Sequence, residues 1–306
     1  MLPGYDGTLY ILAFDHRGSF QKAFFGVTGD PTPEDAAKIV DAKKVIFEGF
    51  QQALAQGTPV AGAGVLVDER FGAGVARAAA AQGLVLAMPV EKSGQEEFDF
   101  EYGEDFASHI EAFDPTFAKV LVRFNPEGDG AMNARQAGRL QRLGDWLHAH
   151  DRKFLFELLV PAESHQLETA GGDAGRYDIE IRPHLMRVAI AELQGSGVEP
   201  DVWKIEGIDR REECASIADQ CRAGGRNDVK CVVLGRGADA AAVDRWLEAA
   251  AGVPGYAGFA IGRTIWWNPL KAYVDGGAER PVAAAAITEN YRRFISVYEA
   301  RASAPS

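Results

Sequence analysis

The run VWKIEG at positions 202–207 places Lys204 and Glu206 two apart among apolar neighbours. Three other apolar runs carry charge in the same way: Asp15 in LYILAFD, Lys119 and Arg123 in KVLVRFN, and Glu157 in FLFELLV. A lysine beside carboxylates inside an apolar frame has two uses. It anchors an anion, or it attacks a ketone carbonyl as a neutral amine and forms an imine; desolvation and a neighbouring cation both favour the neutral form. Lys119 and Arg123 are candidates for that cation. Glu157 is a candidate for moving protons as a carbinolamine dehydrates and a carbon–carbon bond breaks. Asp15 suits a second base or a partner for a substrate hydroxyl.

These residues sit in eight short apolar runs, at 9–15, 64–69, 84–91, 119–125, 154–160, 202–207, 230–237 and 258–263. Most intervening stretches are rich in Ala, Arg, Leu and Glu, as helices prefer; 34–56, 133–150, 178–195, 210–223 and 238–251 are clear, with Pro33 placed as a helix starter. Strand–helix alternation implies parallel pairing with right-handed crossovers. Eight such units in 306 residues fit a closed barrel or an open doubly wound sheet. The turn after the first run, DHRGSF, has no Gly-x-Gly-x-x-Gly, and the glycines gather instead after runs seven and eight. The expected fold is therefore a single (β/α)₈ TIM barrel over 1–306, with a frayed tail at about 301–306.

Side chains alternate across a strand. If Trp203 and Ile205 face the helices, Val202, Lys204 and Glu206 face the barrel interior. The same parity turns Glu157, Lys119, Arg123 and Asp15 inward. A buried charge costs several kcal/mol unless paired. For any one residue a structural ion pair is as good a reading as a functional one; for all of them together, a site is the better reading.

Runs seven and eight end in LGRG and AIGR. Loops at these two places in a barrel often hold phosphate through backbone N–H groups and a helix start. Gly235, Gly237 and Gly262 permit close backbone approach, and Arg236 and Arg263 offer bidentate donors. The plainer reading is that the glycines only turn the chain and the arginines pair with surface acids. The six histidines show no convergent metal pattern. Asp68 and Glu69 suggest a salt bridge to Arg70 rather than a cation site. EEFDFEYGED at 96–105 reads as a solvated loop, 161–178 as a long loop that is either a lid or a surface excursion, and Trp266–Trp267 as core or as an interface.

Net charge is −12, which argues against nucleic acid and anionic membrane surfaces but not against a small anionic substrate in a basic cleft. No apolar stretch nears the roughly 20 residues that span a bilayer. There is no basic start before the first apolar run, and the three cysteines have no Cys-x-x-Cys spacing. A cytoplasmic protein with reduced thiols is expected.

ILAFDHRGSF, VLVDERFG, AKVLVRFNPEGD, FLFELLVPA, DVWKIEG and GFAIGRTIW together resemble the DUF2090 family, from the first strand to the eighth. That domain follows a 5-dehydro-2-deoxygluconokinase in bifunctional inositol-catabolism proteins. It is similar to class I tagatose-1,6-bisphosphate aldolases and to relatives acting on sulfosugar phosphates. The resemblance implies that Lys204 is a Schiff-base lysine, Glu157 the acid/base, Lys119 and Asp15 supporting residues, and Arg263 part of the phosphate site. The implied reaction cleaves 2-deoxy-5-keto-D-gluconate 6-phosphate to dihydroxyacetone phosphate and malonate semialdehyde, with no metal or other cofactor. The kinase half is absent here, so the phosphorylated substrate is expected from a separate enzyme. A homo-oligomer is expected, as barrels of this kind often self-associate. Competing readings are an aldolase for tagatose bisphosphate or a sulfosugar phosphate, a metal-independent sugar-phosphate isomerase or epimerase using Glu157 and Asp15, and a non-catalytic sugar-phosphate sensor.

Overall fold

The computed structural model describes residues 3–303. Eight parallel strands close into a barrel in chain order: β1 (Leu9–Ala13), β2 (Ala63–Leu66), β3 (Val85–Pro89), β4 (Phe117–Arg123), β5 (Lys153–Leu159), β6 (Val202–Glu206), β7 (Lys230–Leu234) and β8 (Tyr256–Ile261). Closure of β8 onto β1 excludes the open sheet.

Side chains alternate between the helix layer and the barrel interior along the strands. Tyr10, Leu12, Val120, Phe156, Trp203 and Ile205 pack against the helices, while Leu9, Ile11, Phe117, Leu155, Val202 and Val232 fill the barrel. Below the barrel, the Tyr5 ring meets Phe117 at 5.1 Å. The lower interior is thus apolar down to its rim, where Lys153 pairs with the buried Asp201, and the cluster of Asp15, Glu157 and Lys204 lies toward the end where the strands finish.

Helix starts follow from local chemistry. Thr32 accepts from the Asp35 N–H before helix Pro33–Ala55, with Pro33 at its first position; Asp129 and Asp239 cap Gly130–Ala149 and Ala240–Ala250 in the same way.

Several expectations change. DHRGSF is not a plain turn, because helix Gly18–Phe25 begins within it. The 161–178 stretch is not an unstructured loop: it holds short helices at Ser164–Thr169 and Ala174–Arg176 and leads through a π-type turn at Tyr177–Ile181 into helix Arg182–Gly195. The helix expected from 178 therefore starts regular winding at Arg182. The acidic run 96–105 is anchored rather than solvated, since Phe98 and Phe100 are buried and Glu97 pairs with Arg135 and Arg139. Asp68 pairs with the buried Lys43 and caps helix Glu69–Ala81, while Arg70 turns to Asp30. The last helix runs from Arg280 to Ala302, so residues 301 and 302 are ordered helix and 304–306 lie outside the described residues. Trp266 is fully buried, and its indole N–H donates to the Ala13 carbonyl at 2.9 Å. Among the described residues, no helix is long and apolar enough to cross a membrane.

Candidate active site

The ends of the strands open into a cavity of about 1190 Å³ lined by Lys204, Glu157, Lys119, Asp15, Arg123 and Arg263, among others. Strand register sets the centre. Glu157 lies level with Lys204 across β5 and β6, and the Lys204 ammonium donates to Glu157 Oε2 at 3.0 Å. Lys119 lies level with Leu155, one inward position lower, a step of roughly 6–7 Å along a strand. Its long stem brings its ammonium up to 3.1 Å from the same Glu157 oxygen.

Lys119 also donates to Asp15 Oδ2 and to Glu91 Oε1, both at 2.9 Å. Burial alone would depress this lysine, but Asp15, Glu157 and Glu91 outweigh it and hold the amine far above its usual value. Lys119 is therefore a fixed cation. Burial would raise Asp15 and Glu157, yet Lys119 pulls both below the usual carboxylate range, helped at Glu157 by Lys204. Glu91 goes the other way: burial raises it despite Lys119 and Arg17, and its Oε2 has no hydrogen-bond partner among the described residues.

Asp15 is held from beneath. The buried Lys43 donates to the carbonyls of Phe14 and His16, at 2.9 and 3.0 Å, and so fixes the backbone on both sides of Asp15. Burial, only partly offset by Asp15, pushes the His16 ring down to about 4, and Arg263 and Lys43 add to the effect. The imidazole is thus neutral at physiological pH.

Glu206 faces inward as its parity requires, but it serves the wall. Its Oε2 accepts from the Val160 N–H at 2.9 Å, and its Oε1 lies 3.1 Å from Arg236 Nε. Arg236 also donates to Asp178 at 2.7 Å, and Asp178 accepts from the buried Arg182. Arg236 is therefore paired with two carboxylates, Glu206 and Asp178. It sits at φ 50°, an uncommon setting for a residue with a side chain, beside Gly237 at 74°.

Arg263 differs: its guanidinium donates to the Arg236 carbonyl at 2.8 Å and has no carboxylate partner among the described residues. It opens helix Arg263–Val274 directly after Gly262, so backbone N–H groups and a guanidinium share one place. Gly262 is required there, because a Cβ would lie 2.3 Å from the Ala13 carbonyl oxygen. At Gly235 a Cβ would press on Ile261 at 3.1 Å. Arg123 donates to the Gln95 carbonyl at 2.9 Å and likewise meets no carboxylate among the described residues.

The structure thus brings Lys204, Glu157, Lys119 and Asp15 into one network and separates Arg123 from Arg263. Sequence reasoning missed three members. Glu91 was legible, since Leu86, Met88 and Val90 face the helices and leave Glu91 inward. Lys43 was legible as a lysine on the apolar stripe of Ile39, Ile46 and Phe50. Arg17 bonds Glu91 and Glu101 at 3.4 and 3.3 Å, and nothing local announced it. Among the described residues, no group of three or more His, Cys, Asp or Glu is arranged to hold a metal ion.

A family model described as an uncharacterized protein conserved in bacteria (DUF2090) matches residues 5–302. Tagatose 1,6-diphosphate aldolase 2 of Streptococcus pyogenes serotype M1 is 24% identical over 297 residues, covering 90% of this chain and 85% of the relative. Fructose-bisphosphate aldolase from Plasmodium falciparum superposes with a TM-score of 0.63 at 13% identity, over 98% of this chain and 93% of that one. A Corynebacterium glutamicum protein gives 0.58 at 17%, over 97% and 88%. The structural likenesses bear on the fold alone.

Proposed function

This chain belongs to the DUF2090 family, and we propose that it is a class I aldolase cleaving a phosphorylated keto sugar or sugar acid. The observation that carries the reading is the Lys204–Glu157–Lys119 cluster, a lysine and a carboxylate 3.0 Å apart beside a fixed cation. The aldolase name of its Streptococcus pyogenes relative supports the reaction class.

The substrate we favour is 2-deoxy-5-keto-D-gluconate 6-phosphate. A proton passing from Lys204 to Glu157 leaves a neutral amine and a neutral acid. The amine attacks the C5 ketone, and Glu157 gives its proton to the departing hydroxyl, so that water leaves and an iminium forms. Glu157, again ionised, or Asp15 takes the proton of the C3 hydroxyl. The C3–C4 bond breaks, malonate semialdehyde leaves, and its electron pair neutralises the iminium as an enamine. Protonation at carbon and hydrolysis release dihydroxyacetone phosphate and free Lys204. The iminium is the electron sink, so the scheme draws on no metal or other cofactor. The phosphate would rest on Arg263 and the N–H groups around Gly235 and Gly262.

Borohydride reduction in the presence of dihydroxyacetone phosphate tests the reading. The expected result is an adduct on the peptide carrying Lys204; activity with no adduct there would overturn it. The Lys204–Glu157 ion pair also suits a second reading, a sugar-phosphate isomerase in which the lysine is only electrostatic. Turnover that survives borohydride would favour that.

A further inference from the structure

The cavity is strongly charged, and nearly all of that charge is already spent within the protein. Each carboxylate lining it is bound by a neighbouring cation: Asp15 by Lys119, Glu157 by Lys204, Glu91 and Glu101 by Arg17, Asp178 and Glu206 by Arg236, and Asp30 by Arg70. Lys92, on the same wall, pairs with Asp99. Two lining cations remain without a carboxylate among the described residues, Arg123 and Arg263.

Their places are not equivalent. Arg123 ends β4 and Arg263 follows β8. In a closed barrel of eight strands these are diametrically opposite, and Lys204 on β6 is two strands from each. Arg123 is also held in place: its carbonyl accepts from the fully buried Gln136 at 3.0 Å, and its guanidinium is tethered to the Gln95 carbonyl. An acidic protein that leaves two arginines unneutralised on opposite walls of one cavity is arranged for a ligand with an anion at each end.

We propose that Arg123 is the residue that binds the end of the substrate remote from the phosphate, a second terminal anion, across the barrel mouth from Arg263 and two strands from Lys204. The proposal rests on the aldolase reading and deepens it: Arg123 becomes the residue that selects the aldehyde half. A terminal carboxylate and a terminal phosphate share the chemistry that Arg123 reads.

The test is aldol addition by the full chain, with dihydroxyacetone phosphate as donor. Three acceptors are compared: glyceraldehyde, which is neutral, malonate semialdehyde, a carboxylate, and glyceraldehyde 3-phosphate. Arg123→Ala should lower kcat/KM for an anionic acceptor about 10- to 100-fold more than for glyceraldehyde, the equivalent of one charge-assisted pair. Whichever anion shows the larger loss identifies the natural end group. Arg123→Lys should recover part of the loss. Arg263→Ala should instead raise KM for dihydroxyacetone phosphate with every acceptor. Equal losses for neutral and anionic acceptors in Arg123→Ala, or no loss, would overturn the assignment while a borohydride adduct on Lys204 still upheld the aldolase. Absence of that adduct in the wild type would overturn both.

Discussion

Lys204 and Lys119 converge on one atom, Glu157 Oε2, at 3.0 and 3.1 Å. The two lysines are not interchangeable. Lys119 is surrounded by three carboxylates and stays charged, whereas Lys204 donates to Glu157 alone among the described residues. One is thereby an electrostatic fixture, and the other has a single carboxylate partner, Glu157.

Lys204→Met should lose cleavage and borohydride trapping together while keeping the fold, because Glu157 retains Lys119. Circular dichroism and thermal unfolding beside the activity assay check this. Glu157→Gln should keep the trapping site but lower turnover by about 10²- to 10⁴-fold, the usual worth of a positioned acid–base group.

Removing Lys119 should act on stability, and with a pH sign. Asp15 is held below its ordinary value, so its contribution is in place above about pH 4 and is lost as pH falls through the folded value. Lys119→Met leaves Asp15, Glu91 and Glu157 crowded and raises their proton affinity. The variant should be less stable by about 3–5 kcal/mol at pH 8, with a smaller deficit at pH 5, where the carboxylates take up protons. Urea unfolding at the two pH values reads the difference.

Lys43 should prove to be a positioning residue. Lys43→Met strands the buried Asp68 charge and should cost about 3–5 kcal/mol. Lys43→Met combined with Asp68→Leu should be more stable than the single variant, although the lost cap on helix Glu69–Ala81 still costs about 1 kcal/mol. Turnover should stay low in both, because the Phe14 and His16 carbonyls that flank Asp15 have lost their donor.

Gly237→Ala should damage phosphate binding more than the fold. The residue sits at φ 74°, and a Cβ would lie 2.6 Å from the Arg263 guanidinium carbon. The backbone setting costs about 1–2 kcal/mol, while displacement of Arg263 should raise KM for a phosphorylated substrate with a smaller change in kcat.

What the sequence settles by itself is a matter of period. Alternation is local to each strand, so the inward set of Asp15, Lys119, Arg123, Glu157, Lys204 and Glu206 could be read without knowing the neighbours. The eight apolar runs likewise gave the strands to within a few residues. Which charge meets which is not local. It depends on barrel closure and on the register that puts Glu157 beside Lys204 and Lys119 one position lower. That arrangement gathers β1, β3, β4 and β5 around a single ammonium and brings in Glu91 and Lys43 from segments that read as core. It also separates the arginines: LGRG and AIGR look alike in the chain, but Glu206 and Asp178 reach Arg236 and no described carboxylate reaches Arg263. Burial makes each such pairing decisive, because a charge removed from water is held only by the partners that the fold delivers.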